Sequence, residues 1–118
     1  MLCHERPVHR AQKTPIVFIH PMPQGQGHET ILAQIVSDQL GLAPEDITVN
    51  VEHDTQKDQW SIAAGTYSCR FTPGTAVAAH MAAGQVREKL AKIAAKNLNT
   101  PAENIEFTGG KIHAEGNP

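Results

Sequence analysis

Two short stretches of this 118-residue chain concentrate groups that bind polar ligands. The first is Gln24-Gly25-Gln26-Gly27-His28. Its glycines let the backbone approach a ligand closely and adopt dihedrals that other residues avoid. Its glutamine amides offer donors and acceptors, and His28 adds a group able to carry charge. A helix starting just after this loop would present free N–H groups and a positive dipole end, which suit phosphate. The second stretch is Gly65-Thr66-Tyr67-Ser68-Cys69-Arg70, which packs three hydroxyls, a thiol and a guanidinium into six residues. That density of donors suits an anion or a polar heterocycle.

Each loop alone also has a plainer account. Gly-x-Gly turns join strands to helices for steric reasons, and Ser and Thr commonly hydrogen-bond the local backbone. The first loop carries neither the Lys-Ser/Thr pair of a P-loop nor the third glycine of a dinucleotide fold. Cys69 has no second ligand at metal spacing, and its nearest histidine in sequence is His80, so it reads as a packed or bystander thiol. The chain's 7 histidines are scattered without a His-x-x-x-His pair, so no metal site and no catalytic base are expected.

The elements that must position these loops follow from hydropathy. Residues 15–20 form an apolar, β-branched run that reads as a buried strand, stopped by Pro21 and Pro23. From residue 29 to 40, Ile31, Leu32, Ile35, Val36 and Leu40 recur at helical spacing, and Gly41 ends the helix. Pro44-Glu45-Asp46 makes a turn before an alternating strand at 47–52. Residues 53–74 read as loop. A long helix is expected over 75–97, with Val77, Met81, Leu90, Ile93 and Ala94 on its apolar face and Gly84 in its interior. Pro101 repeats the turn chemistry of Pro44, a strand follows at 104–108, and Gly109-Gly110 turns it back through 111–114. Strand, helix, strand, helix, hairpin implies an α+β, two-layer fold, with helices on one face of a small mixed sheet.

Composition limits the function. Twelve acidic against 10 basic residues give a net charge of −2, which does not suit binding to a nucleic-acid backbone. Basic residues gather at the N-terminus, His4, Arg6, His9, Arg10 and Lys13, within a stretch (residues 1–13) expected to be a loosely attached tail before a domain at 14–118. With 4% aromatic residues, the core must be built from aliphatic side chains and alanine. Two cysteines are too few for a disulfide framework, and no apolar run reads as a signal peptide or membrane span. A cytoplasmic setting is expected.

The two loops at this separation are more specific than either. Gln24-Gly25-Gln26-Gly27-His28-Glu29-Thr30, Ala33-Gln34-Ile35-Val36, Leu40-Gly41-Leu42 and Pro44-Glu45-Asp46-Ile47 are similar to the xanthine dehydrogenase and aldehyde oxidase family of molybdenum hydroxylases. The similarity continues through Asp54-Thr55, the Gly65 to Arg70 loop, Gly74 and Val86-Arg87-Glu88-Lys89-Leu90, and it covers about residues 15–116. Within the family, the first loop and Gly65-Thr66-Tyr67 resemble the bacterial branch that includes carbon monoxide dehydrogenase large subunits.

The resemblance implies that both loops grip the pterin and pyrophosphate of a molybdenum–molybdopterin cofactor, in its cytosine dinucleotide form. Gln24, Gly25, Gln26, Gly27 and His28 would line one contact, and Gly65, Thr66, Tyr67, Ser68 and Cys69 the other. Iron–sulfur and FAD groups would sit on partner subunits, and the remaining large-subunit segments would be partners too. The family's catalytic-glutamate motif and its earlier cofactor loop are absent from this chain, which therefore reads as a fragment of a larger subunit. Cys69 stands where relatives often carry Ser or another small residue. The competing readings are a non-catalytic orphan domain that self-associates through apolar surface, and a small thiol enzyme using Cys69.

Overall fold

The computed structural model describes residues 14–52, 54, 56–57 and 67–116. The expected tail at 1–13, and Gly65 and Thr66 of the second loop, lie outside the described residues.

Strand β1 (Ile16–Phe18) leads through the first loop into helix α1 (His28–Leu40), and β2 (Thr48–Asn50) follows. β1 and β2 pair in parallel, Val17 opposite Val49, so the first half of the chain is a strand–helix–strand crossover. Helix α2 (Val77–Leu98) precedes an antiparallel hairpin of β3 (Ile105–Thr108) and β4 (Lys111–Ala114), with Phe107 opposite Ile112. The α+β class matches expectation. The four strands, however, divide into two ladders of two rather than joining in one mixed sheet. The hairpin turn is as its sequence requires: Gly109 and Gly110 both have positive φ, 59° and 75°.

Both proline turns are single turns of 3-10 helix, Pro44–Asp46 and Ala102–Asn104, each feeding a strand. Their closing bonds correspond: the residue after each turn donates its N–H to the turn's first carbonyl, Ile47 to Pro44 O and Ile105 to Ala102 O. The same local chemistry is used twice to turn a chain leaving a helix into a strand.

α1 buries Leu32, Ala33, Val36, Ser37 and Leu40. That face is rotated from the expected one: Ile31 is exposed, and Ala33 and Ser37 take inward positions. The Ser37 hydroxyl is satisfied by donating to Gln34 O at 2.8 Å, so its burial leaves no orphan group. Ala33, Val36, Leu40, Ile47 and Ala83 form the central cluster, with Val17, Leu42 and Val49 packed around it.

The long helix corrects the expected apolar face. Leu90 and Ala94 of that face turn inward as expected, but Val77, Met81 and Ile93 are exposed, Ile93 by 59%; the inward side is completed by Ala79, Ala83 and Arg87, of which Ala83 is buried. Small side chains let α2 lie close on α1, so the interface follows alanine spacing and not side-chain size. The helix also begins differently. A wide π turn, Thr72–Ala76, precedes Val77 and is closed by Ala76 N–H to Phe71 O at 3.1 Å. Pro73 sits in its first turn, where the missing N–H costs no helix bond.

α1 and the hairpin meet at Gly41. It caps α1 in the left-handed region (φ 64°), and its carbonyl accepts Gly110 N–H at 2.9 Å. A Cβ at Gly41 would lie 2.2 Å from Phe107 O, so only glycine permits this approach.

Candidate functional site

The first loop lies where β1 hands the chain to α1, past the carboxyl end of a parallel strand. Open parallel sheets leave ligand-accessible space at that end, because the loops leaving adjacent strands diverge there. Gly25 (φ 97°) and Gly27 (φ 73°) both take left-handed backbone, and a Cβ at either would meet nothing within 4 Å. Gly27 is the N-cap of α1, and no side chain caps the helix start. Its first N–H groups are therefore not taken by a cap and, with the helix dipole, favour an anion. Glu29 in the first turn adds one negative charge there, which works against that preference. Gln24 and Gln26 are exposed, and the Gln26 side-chain oxygen accepts the Gln24 backbone N–H. That contact leaves the Gln26 amide NH2 to donate elsewhere.

The described part of the second loop forms a turn ahead of the π-helical segment. Tyr67 is 65% exposed, and Ser68 and Cys69 are also on the surface. Arg70 N–H bonds Tyr67 O at 3.1 Å, and Ser68 takes a left-handed backbone (φ 48°) that non-glycine residues rarely adopt. The Ser68 hydroxyl lies 3.9 Å from the Cys69 sulfur. The hydroxyls of Tyr67 and Ser68 and the Cys69 thiol are thus presented to solvent and not sealed in a core.

The fold brings the two loops together. His28, directly after Gly27, stacks on Phe71, directly after Arg70, with ring centroids 3.8 Å apart and planes within 3°. His28 is 2% exposed, and among the described residues its Nδ1 has no hydrogen-bond partner. Its imidazole is therefore enclosed, not extended into solvent. Sequence reasoning missed Phe71. The available signal was its position, one of only 3 phenylalanines in the chain and adjoining a loop already singled out.

Beside the loops runs an open groove of about 700 Å³, walled by β1, by His28, Arg70 and Phe71, and by Ala78, Ala82 and Val86 of α2. Among the described residues no three His, Cys, Asp or Glu side chains come together as a metal site. The described loops offer backbone close approach at two glycines, helix N–H groups, amides and hydroxyls. These suit a phosphate-bearing group with a polar ring.

A family model described as "Molybdopterin cofactor-binding domain" matches residues 14–118. This chain belongs to that family. It is 35% identical over 95 residues to the carbon monoxide dehydrogenase large chain of Afipia carboxidovorans, covering 80% of this chain and 11% of that one. It is 38% identical over 92 residues to the 6-hydroxypseudooxynicotine dehydrogenase complex subunit gamma of Paenarthrobacter nicotinovorans, covering 78% and 11%. Among solved structures it resembles a Cu,Mo-CO dehydrogenase, with a TM-score of 0.71, 33% identity and coverage of 87% of this chain and 13% of that one. It also resembles quinoline 2-oxidoreductase from Pseudomonas putida 86, with a TM-score of 0.70, 31% identity and coverage of 86% and 12%. The chain spans 10–11% of the length of the curated relatives it matches. It is a molybdopterin cofactor-binding segment of the molybdenum hydroxylase large-subunit type. No described helix is long and apolar enough to cross a membrane.

Proposed function

We propose that residues 14–118 grip the pterin and pyrophosphate of a molybdenum cofactor within a molybdenum hydroxylase. Gln24, Gly25, Gln26, Gly27 and His28 form one side of the grip, and Gly65, Thr66, Tyr67, Ser68 and Cys69 the other. The observation that carries this reading is the pair of left-handed glycines at the uncapped start of α1, with open space where side chains would stand. When bound, the molybdenum centre supplies the redox chemistry that oxidises a small substrate with water as the oxygen source. This chain's residues bind and orient the cofactor: helix N–H groups hold phosphate, the Gln26 amide donates to a polar ring, and the Tyr67 and Ser68 hydroxyls donate from the facing turn.

The cofactor form that fits best with the bacterial relatives is the cytosine dinucleotide. The partners are the remaining large-subunit segments and subunits carrying iron–sulfur and FAD groups, in the cytoplasm. Relatives named as a "large chain" and a "complex subunit" support such an assembly.

A second reading has its own observation. The groove and the exposed Ile16 and Phe18 on β1 are apolar surface of the kind that marks contact with another chain or segment. An orphan domain would use that surface for self-association and bind no cofactor.

One purification separates the two. The chain isolated under mild conditions from its native source should run as a large complex with about one molybdenum per copy if it carries a cofactor site. A small, metal-free species supports the orphan reading. In the complex, Gly27→Val should lower molybdenum content at least several-fold, because a β-branched residue cannot hold φ 73° without strain. Full molybdenum retention in that variant would count against the grip.

A further inference from the structure

His28 closes the first side of the grip with its ring enclosed, and Phe71 directly follows the turn that forms the second side. Their rings lie face to face, with centroids 3.8 Å apart, and join segments that are 43 positions apart in sequence (71 − 28). The imidazole is 2% exposed and, among the described residues, leaves Nδ1 without a partner. Burying an unpaired ring nitrogen opposes folding, and an aliphatic side chain would fill the space without that cost. An aliphatic side chain, however, has no flat face. Stacked rings fix both a separation and an orientation, which aliphatic contacts do not.

The geometry points to a positioning role for this pair: the His28–Phe71 stack sets the spacing between the loop at 24–27 and the turn at 67–70, holding them ready for one ligand that spans both. The inference rests on the cofactor-binding reading for what that ligand is, but the coupling itself is a property of the chain alone. Two features make the coupling direct. His28 is the first residue of α1, so displacing its ring moves the helix N–H groups. Phe71 N-caps the π turn, and its carbonyl closes that turn by accepting Ala76 N–H at 3.1 Å. A shift on one side is thus carried to the other through rigid elements.

The test uses the full chain and inorganic pyrophosphate as the probe, with amide hydrogen exchange as the readout. Far-UV circular dichroism checks that each variant folds. Phe71→Leu keeps apolar volume and removes the flat face. Exchange should then speed up at Ile31, whose N–H bonds Gly27 O at 3.1 Å at the start of α1, remote in sequence from the change. His28→Ala should loosen residues 70–76 in the same way, and it serves if Phe71→Leu does not fold. Phe71→Tyr and His28→Phe keep two stacked rings and should keep wild-type exchange in both segments.

In the wild type, pyrophosphate should slow exchange on both sides of the grip. Phe71→Leu should weaken its binding about tenfold, the scale of one lost aromatic pair, and Phe71→Tyr should restore it. If Phe71→Leu leaves the start of α1 unchanged, the stack couples nothing and the inference is overturned, whatever pyrophosphate does. If His28→Phe folds and keeps coupling but loses pyrophosphate, the imidazole contacts the ligand directly, and the positioning role is overturned. If coupling behaves as expected but the wild type ignores pyrophosphate, the stack stands as the link between the loops and the cofactor-binding reading fails.

Discussion

At the scale of single residues, glycines do two different jobs in this chain. Gly25 and Gly27 are left-handed with nothing near a Cβ, so their substitution strains the backbone and narrows the space a ligand needs. Gly41 is left-handed against backbone, with Phe107 O where a Cβ would stand. Gly41→Ala is expected to destabilise the fold by about 3 kcal/mol, combining the left-handed penalty with forced separation of α1 from β3. Urea unfolding of the chain reads this directly, and a change below about 1 kcal/mol would show that the hairpin yields freely. Histidine position matters as much as glycine position. His28 was legible as a polar residue beside a glycine loop, but its enclosure by Phe71 was not.

At the scale of elements, α2 holds the molecule together through residues that hydropathy does not single out. Arg87 donates from Nη1 to Gln39 O at 2.8 Å, and its guanidinium lies 4.8 Å from the centre of the Phe107 ring. Gln39 is in the last turn of α1, where carbonyls have no partner within the helix. One side chain on α2 thus caps α1 and packs on β3. Arg87→Met keeps much of the apolar stem and should cost about 2 kcal/mol, seen as a lower thermal midpoint. Gly84 behaves oppositely. A Cβ there would make only ordinary contact, 3.9 Å from the Gln39 side-chain oxygen. Gly84→Ala should therefore stabilise the fold by about 0.5–1 kcal/mol through helix propensity. A loss of stability would mean that α1 and α2 sit closer than the structure shows.

At the scale of the whole molecule, the α1–α2 layer is well covered by its own strands only in part. β1 pairs with β2 alone among the described residues, and Ile16 and Phe18 stay exposed beside the groove. Parallel strands are ordinarily covered on both faces, so a two-stranded parallel ladder with an apolar outer face is unusual for a free surface. The isolated chain is expected to self-associate at high concentration. Phe18→Lys should shift sedimentation towards the monomer, because a charge on that face opposes burial. If the wild type remains monomeric at millimolar concentration, the surface is not driving association.

Much of the plan was readable along the chain, because it rests on local chemistry. Helix spacing around Leu32, Val36 and Leu40, the Gly41 stop, the two proline turns and the Gly109-Gly110 hairpin depend on residues close in sequence. The glycine pair at 25 and 27 is likewise a local backbone requirement. The resemblance carried by both loops named the family without any coordinates. Contacts between distant segments were not readable in this way. Hydropathy placed Val77, Met81, Leu90, Ile93 and Ala94 on the inner face of α2, but only Leu90 and Ala94 turn inward, beside Ala79 and Ala83, since interhelical distance is set by both partners at once. Division of the strands into two ladders, the Arg87 cap on α1 and the His28–Phe71 stack each need two segments to meet, and only the packed chain decides which ones do.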